Sequence, residues 1–331
     1  MRRKLGDIAI QFARMLGFFK WQTDSFKVLI YEPDFERRLS FTNKVANGRG
    51  NNLSPFDFKI VKSRIFLKGY LPQADVAYCY GISEKFSIEH LRLLYIGVVG
   101  YNVSRRIPAK LVVKTPCNYA AQYIADYLLA VIAAYERNLF YAEQLKQKRK
   151  WEQKEFFCNA PKEMRELKIG IIGLGSIGQK AAHHFLNLEC KVYGFDLIAD
   201  LEVSLTRYYS NEDWKEMLEF VDYLIIAIPY TKDNHHLINE SLLLSMHKNI
   251  CIVNVSRGNI IDESALVKAL ENNLIRGAIL DVFEVEPLPE KSKLWRLQNA
   301  LLTPHISGNI KLVYNLIQDD FLKILKEMKF D

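Results

Sequence analysis

Several features are scarce or absent in this sequence. No run of about 18 or more uncharged apolar residues occurs, so we expect no membrane-spanning helix. The five cysteines lie at least 32 residues apart and form no CxxC pair, which argues against a disulfide framework or a zinc knuckle. An odd, scattered set of thiols favours a reduced, cytoplasmic protein. The 49% apolar and 25% charged residues argue against wholesale disorder.

Clustered positive charge is also scarce beyond the first 20 residues. The net charge is +7, and residues 1–20 contain five basic residues and one acidic residue. They therefore contribute +4, which leaves +3 for the other 311 residues. Nucleic-acid binding requires Lys and Arg clustered on one face. We therefore predict no nucleic-acid partner.

The basic segment 1–22 has apolar residues at helical spacing, interrupted by polar residues, and no small-residue cleavage site follows it. It does not fit a secretory signal. We expect an amphipathic extension that packs on its own chain or on a partner subunit. Attachment to a membrane surface is the alternative.

Short apolar runs alternate with helical patterns in two cycles along the chain. Such alternation is typical of doubly wound parallel sheets, so we predict an α/β protein with two parallel-sheet domains. The predicted strands are 27–31, 57–61, 76–80, 93–99, 167–172, 191–195, 223–228, 249–255 and 277–282. The main predicted helices are 178–188 and 263–272. Residues 118–147, which include no Gly or Pro, are predicted to form one long helix or two joined ones.

A glycine-rich loop opens the second cycle. Gly173, Gly175 and Gly178 form GxGxxG between a predicted buried strand and a predicted helix. Gly173 allows a tight turn, Gly175 allows close approach of a pyrophosphate, and Gly178 allows close packing of helix on strand. The N–H groups at the helix start, which includes Ser176 and Ile177, would bind the phosphates.

Asp196 ends the next predicted strand, 18 residues after Gly178. Its carboxylate would accept hydrogen bonds from the ribose hydroxyls and would repel a 2′-phosphate. No cation in the following Leu-Ile-Ala would offset that repulsion. The cofactor predicted from these residues is NAD.

Three later segments each place a polar residue among apolar ones, where strands of the sheet would end. Arg257 could hold a substrate carboxylate and polarise a carbonyl group. His305 could act as general acid or base, and Glu286 could orient its ring and stabilise the charged form. The set suits interconversion of a 2-oxo acid and a 2-hydroxy acid.

These segments resemble the D-isomer-specific 2-hydroxyacid dehydrogenase family. The matching motifs are GLGSIG with Asp196, NVSRGNIIDESALVKAL, AILDVFEVEPLP and LLTPHISG. The resemblance implies an NAD-dependent D-2-hydroxyacid dehydrogenase in which Arg257, Glu286 and His305 have the catalytic roles given above. It also implies that Asp281 faces the nicotinamide carboxamide, and that the cofactor is lined by Ile228 and Pro229.

The resemblance further implies the domain order. A Rossmann NAD-binding domain, 119–305, is inserted into a flavodoxin-like substrate domain made of 23–118 and 306–331. The charged stretch near 137–160 resembles the dimerisation arm of the family and implies a homodimer.

On the substrate side, Val99 and Gly100 align with the loop whose N–H groups bind the substrate carboxylate. Tyr80 and Tyr119 fall where D-lactate-type members place pocket tyrosines, although Tyr80 is equally compatible with a core position. No Lys or Arg stands within four residues of Tyr80 or Gly100, which disfavours a phosphorylated substrate.

Two further interpretations concern metals and catalysis. The pairs His183-His184 and His235-His236 have no carboxylate or Cys at metal-ligand spacing, so we predict no metal. A non-catalytic NAD-sensing scaffold, like the corepressor branch of the family, is the alternative to an enzyme. Its motivation is the 1–22 segment, which the catalytic interpretation does not require.

Overall fold

The computed structural model describes residues 26–48, 53, 56–80, 86–97, 112–114, 119–154, 161–197, 201–210, 212–308 and 311–328. The predicted extension 1–22 and the predicted substrate contacts Val99 and Gly100 lie outside these ranges. The chain divides into two compact units, with the divisions between Tyr119 and Ala120 and between Asn309 and Ile310. The predicted boundaries, after residues 118 and 305, lie close to these positions.

Twelve strands lie in the described ranges, in two parallel sheets. They are β1 (Phe26–Tyr31), β2 (Phe56–Val61), β3 (Val76–Cys79), β4 (Leu93–Ile96), β5 (Val112–Lys114), β6 (Lys168–Ile172), β7 (Lys191–Phe195), β8 (Arg207–Tyr209), β9 (Tyr223–Ile226), β10 (Cys251–Asn254), β11 (Gly277–Leu280) and β12 (Ala300–Leu302).

Eight α-helices lie in the same ranges. They are α1 (Phe35–Gly48), α2 (Arg64–Tyr70), α3 (Ala121–Glu136), α4 (Leu139–Gln147), α5 (Ser176–Asn187), α6 (Glu240–Ser245), α7 (Glu263–Glu271) and α8 (Lys311–Glu327). In this part of the chain no helix has the length and apolarity needed to cross a bilayer.

The first unit contains the sheet β2-β1-β3-β4-β5, all parallel, which is the flavodoxin-like strand order. Strands β3 and β4 are buried along their whole length, as expected for continuous apolar runs covered on both faces. Helix α8 returns to this unit and packs beside α1, where the Ser40 hydroxyl bonds to Gln318.

The second unit contains the sheet β12-β11-β10-β9-β6-β7-β8, also all parallel. The order reverses between β6 and β9, as in a Rossmann fold. The predicted fold class, two doubly wound parallel-sheet domains with one inserted into the other, is confirmed.

For 118–147, the two possibilities were one long helix or two joined ones, and the structure has two helices. Asn138, between α3 and α4, has a φ of 53°, which is left-handed and ends the α-helical path. Asn tolerates this conformation better than most residues. The break separates helix α3, which has one buried face, from the exposed start of the predicted arm.

The carboxyl ends of the second sheet determine where the functional segments lie. Parallel strands end at the same edge, so the loops that follow them are neighbours. The glycine loop follows β6, and the segments of Arg257, Asp281 and His305 follow β10, β11 and β12.

Glu32, directly after β1, is a fully buried carboxyl group. Its Oε1 accepts a hydrogen bond from Asp34 N at 3.2 Å, and its Oε2 has no hydrogen-bond partner. Burial raises the pKa of Glu32 to about 7, against the opposing charge of Arg37. The carboxyl group is therefore protonated in the folded protein at pH values at which it is ionised in the unfolded chain.

The raised pKa of Glu32 predicts pH-dependent stability. The stabilisation from the bound proton is fully present below the unfolded pKa, near 4, and is lost as the pH rises through about 7. Glu32→Gln mimics the protonated group, so we expect it to be more stable than the wild type at pH 8, by on the order of 3 kcal/mol, and similar to it near pH 4. Urea unfolding at both pH values measures this, with exposed Glu36→Gln as the control. Equal gains at both pH values would contradict the prediction.

Candidate active site

The glycine loop has the geometry that close approach of a ligand requires. Gly173 has a φ of 96°, a left-handed value that favours glycine. A Cβ on Gly178 would lie 1.9 Å from the Gly173 carbonyl oxygen, so only glycine allows this packing of α5 on the loop. A Cβ on Gly175 would meet nothing within 4 Å, so the backbone there borders open space.

Two predicted cofactor residues lie against this loop. The Asp196 carboxylate accepts a hydrogen bond from Leu174 N at 2.7 Å, which places it beside the glycines. A Cβ on Gly173 would lie 2.7 Å from Ile228 Cγ2, so Ile228 packs on the turn from the next strand of the sheet. Pro229, the next residue, accepts a hydrogen bond from the Asn234 side chain. The residues present fit a dinucleotide bound at the start of α5.

His305 and Glu286 form a direct pair. His305 Nδ1 lies 2.7 Å from Glu286 Oε2, and the carboxylate can only accept, so Nδ1 carries the proton. Glu286 Oε1 accepts from Phe283 N at 3.1 Å, which fixes the carboxylate in turn. Both side chains are partly exposed, 44% for His305 and 37% for Glu286, so the ring can be reached by a ligand.

Asp281 holds the loop that carries His305. It is fully buried, and its carboxylate accepts hydrogen bonds from Thr303 Oγ1 at 2.6 Å, Ile306 N at 2.8 Å and Ser307 N at 2.9 Å. Its carbonyl oxygen accepts from His305 N. The structure therefore shows a supporting role for Asp281, and its contact with the nicotinamide carboxamide stays a prediction.

Arg257 lies at the same edge of the sheet, after β10. Its Nη1 donates to the Ser256 carbonyl at 2.7 Å, and burial lowers its pKa, opposed by the nearby charge of Glu286. Asn254 shapes the turn, since its Oδ1 accepts from Ser256 N and its Nδ2 donates to the Arg257 carbonyl. A cation and a histidine–glutamate pair therefore occupy adjacent loops of one unit. Such a set can bind an anion and transfer a proton.

The predicted tyrosines of the first unit have polar partners. The guanidinium of Arg37 lies 4.6 Å from the centre of the Tyr80 ring and 3.9 Å from that of Tyr314. The lack of a cation next to Tyr80 in the sequence was therefore an incomplete argument against a phosphorylated substrate, because Arg37 of α1 lies against the Tyr80 ring. Tyr119 interacts with Asp320 of α8, and burial together with this hydrogen bond raises its pKa to about 12.

The fold also brings together residues that sequence spacing kept apart. His236 Nε2 lies 2.9 Å from Glu284 Oε1, and Asp262 completes a trio whose ligand-type atoms lie within 4.8 Å of one another. The expectation of no metal rested on spacing along the chain, and such spacing does not reveal carboxylates that the fold brings to His236. These residues already make hydrogen bonds with the protein, and the expectation of no metal stays a prediction.

The family model described as "D-isomer specific 2-hydroxyacid dehydrogenase, NAD binding domain" matches residues 129–307. A glyoxylate reductase of Thermofilum pendens is 34% identical over 188 residues, 56% of this chain and 55% of that protein. A D-3-phosphoglycerate dehydrogenase of Bacillus subtilis is 30% identical over 298 residues, 90% of this chain and 53% of that protein. The chain thus spans about half the length of these curated relatives.

Solved structures show the same fold. A D-isomer specific 2-hydroxyacid dehydrogenase of Xanthobacter autotrophicus, in complex with NADPH and MES, has a TM-score of 0.75 at 22% identity, covering 90% of this chain and 93% of that one. An NAD-complexed dehydrogenase of Lactobacillus delbrueckii has a TM-score of 0.71 at 19% identity, covering 92% and 98%. The family model covers more than half of the chain and the observed fold agrees with it, so the protein belongs to the D-isomer-specific 2-hydroxyacid dehydrogenase family.

Proposed function

We propose that this protein is an NAD-dependent oxidoreductase that interconverts a 2-oxo acid and a D-2-hydroxy acid. The observation that carries the proposal is the 2.7 Å pair of His305 and Glu286, placed with Arg257 at the sheet edge that also carries the glycine loop. Family membership supports the same reaction class.

The cofactor would be held by residues that already surround an open stretch of backbone. The loop from Gly173 to Gly178 and the start of α5 would bind the pyrophosphate, and Asp196 would bind the ribose hydroxyls. Ile228, Pro229 and Asp281 are the proposed contacts of the nicotinamide half. When bound, the nicotinamide supplies the hydride. Asp196 supports NAD over NADP, because its carboxylate would repel a 2′-phosphate.

The side chains of the second unit would handle the substrate's charges. Arg257 would pair with the carboxylate and polarise the carbonyl group. In the reductive direction His305 Nε2 would give its proton to the carbonyl oxygen as the carbonyl carbon receives the hydride, which forms the alcohol. Glu286 would stabilise the charged imidazole and hold the ring in place. On the substrate side, the proposed contacts remain Tyr80, Val99, Gly100 and Tyr119.

We also propose a homodimer that uses the arm near 137–160. The described part of this arm exposes large apolar side chains, with Trp151 89% and Leu139 56% exposed. Apolar surface of this kind is typical of a protein–protein contact.

The first experiment is a reductase assay with NADH, and in parallel NADPH, against glyoxylate, hydroxypyruvate, pyruvate, 2-oxoisocaproate and phenylpyruvate. We expect turnover of at least one acid with NADH preferred, and unchanged turnover in EDTA, because the proposed chemistry needs no metal. Tight NADH binding without turnover of any acid would favour the scaffold alternative. A preference for NADPH would refute the role given to Asp196.

His305→Ala removes the proposed proton donor. We expect kcat to fall about 10²–10⁴-fold, as is usual for loss of a general acid, with NADH binding retained because the glycine loop is separate. His183→Ala, an exposed histidine on α5, is the control and should turn over normally. Wild-type kcat in His305→Ala would remove this residue from the mechanism.

Trp151→Arg tests the proposed dimer. Placing a charge in an apolar contact should shift the wild-type dimer towards monomer, because the charge would have to be desolvated. Light scattering over a concentration series measures the mass. A monomeric wild type, or a variant dimer of unchanged affinity, would contradict the assignment of the arm.

A further inference from the structure

Glu284 stands two residues before Glu286 and takes part in three hydrogen bonds. Its Oε1 accepts from His236 Nε2 at 2.9 Å and from Glu263 N at 3.0 Å. Its own N–H donates to Glu263 Oε2 at 3.3 Å. Glu263 and Glu284 thus bond each other's backbones, and His236 adds a side-chain bond. We name His236, Glu263 and Glu284 the clasp.

Within the clasp, His236 is the side chain that can offset the negative charge of the carboxyl groups. Asp262, Glu263 and Glu284 bring three carboxyl groups together, and no Lys or Arg of the described ranges forms an ion pair with any of them. Burial raises the pKa of Glu263, and the neighbouring Glu284 carboxylate adds to the effect. His236 is the side chain that donates a hydrogen bond to Glu284 within this acidic group.

His236 also connects two catalytic loops. Its backbone N–H donates to the Asn259 carbonyl at 2.9 Å, in the turn that follows Arg257. Its ring reaches Glu284, in the turn that precedes Glu286. His236 has a φ of 53°, so its backbone lies in the left-handed region, which residues other than glycine adopt infrequently.

The two loops are in direct contact beside the clasp. A Cβ on Gly258 would lie 1.8 Å from Phe283 C and 2.3 Å from Glu284 N, so the turn after Arg257 touches the Phe283–Glu284 peptide. Phe283 N donates to Glu286 Oε1, and Glu286 Oε2 accepts from His305. A shift of this one peptide would therefore disturb both Arg257 and the His305–Glu286 pair.

We propose that His236 is a positioning residue for the reaction, acting through Glu284 to hold the 283–286 turn so that Glu286 and Arg257 keep their catalytic geometry. The inference rests on the proposed function, because it concerns the same site. His236 does not touch the reacting atoms and transfers no proton to substrate. Its contribution is alignment, and misplacement of a catalytic group by about 1 Å can cost about 100-fold in rate.

The test compares His236→Asn with His236→Gln. Asn tolerates a left-handed backbone, but its amide nitrogen ends near the level of Nδ1, short of Glu284. The Gln amide extends to the level of Nε2 and can donate to Glu284 Oε1. We expect kcat for the preferred 2-oxo acid to fall about 10–100-fold in His236→Asn and to be largely restored in His236→Gln. The KM for NADH should stay unchanged, because the glycine loop makes none of these contacts.

Two further variants separate positioning from general destabilisation. His235→Ala changes the adjacent exposed ring, which stacks on His236 but does not bond to Glu284, and should keep wild-type kcat. Glu284→Ala removes the bonds from both His236 and Glu263, so it should lower kcat at least as much as His236→Asn, and the double variant should be no worse than Glu284→Ala, in which the His236 bond is already lost. Equal kcat in the Asn and Gln variants, or wild-type kcat in His236→Asn, would overturn the proposal.

A readout independent of turnover distinguishes this proposal from the proposed function. In protein labelled with ¹⁵N-histidine, the Nδ1 proton of His305, assigned by its loss in His305→Ala, reports the bond to Glu286. We expect this signal to weaken in His236→Asn and to return in His236→Gln. If no 2-oxo acid is reduced by the wild type, the proposed function fails, and an unchanged signal in His236→Asn would overturn the positioning role separately.

Discussion

The buried carboxylate of Asp281 is the interaction on which the arrangement of the site depends. A charged group with no exposed surface is costly unless hydrogen bonds replace the lost water, and Asp281 receives them from Thr303, Ile306 and Ser307. These donors lie on both sides of His305 in the sequence. A displacement of the loop would therefore leave the buried Asp281 carboxylate without its hydrogen-bond donors. The hydroxyl of Tyr127, on α3, also lies 2.6 Å from that of Thr303 and ties the loop to the helix. His305 can thus keep its left-handed backbone, with a φ of 53°.

Two physical effects determine the positions of the loops at this edge of the sheet. Apolar burial of β10 and β11, which have no exposed residue, sets where the loops begin. Hydrogen bonds between buried or half-buried polar groups set where the loops go afterwards. Asp281 directs the segment of His305, and the clasp directs the segment of Glu286. The histidine–glutamate pair joins the two, so its geometry reflects both anchors.

Local patterns predicted much of this structure. Most of the predicted strands coincide with observed ones to within a few residues, because buried parallel strands appear as short apolar runs. Strands β5, β8 and β12 were missed, since three-residue strands carry too little pattern to be recognised. The pattern of 118–147 left open whether it forms one helix or two joined ones, because a break without Gly or Pro, here at Asn138, leaves no strong local signal. At the site, Asn254, Thr303 and the clasp were missed, although Asn254 stands within a motif that was recognised.

The sequence by itself determined the fold class, the glycine loop, and Arg257, Glu286 and His305 as the residues to expect at one sheet edge. It could do so because apolar periodicity and turn chemistry act over a few neighbouring residues. Only the tertiary structure decided which polar groups meet. His236 and Glu284 are separated by 48 residues, and Arg37 approaches Tyr80 from helix α1. Such pairings depend on how the strands are ordered in space, and contacts between distant residues leave no periodic trace in the chain.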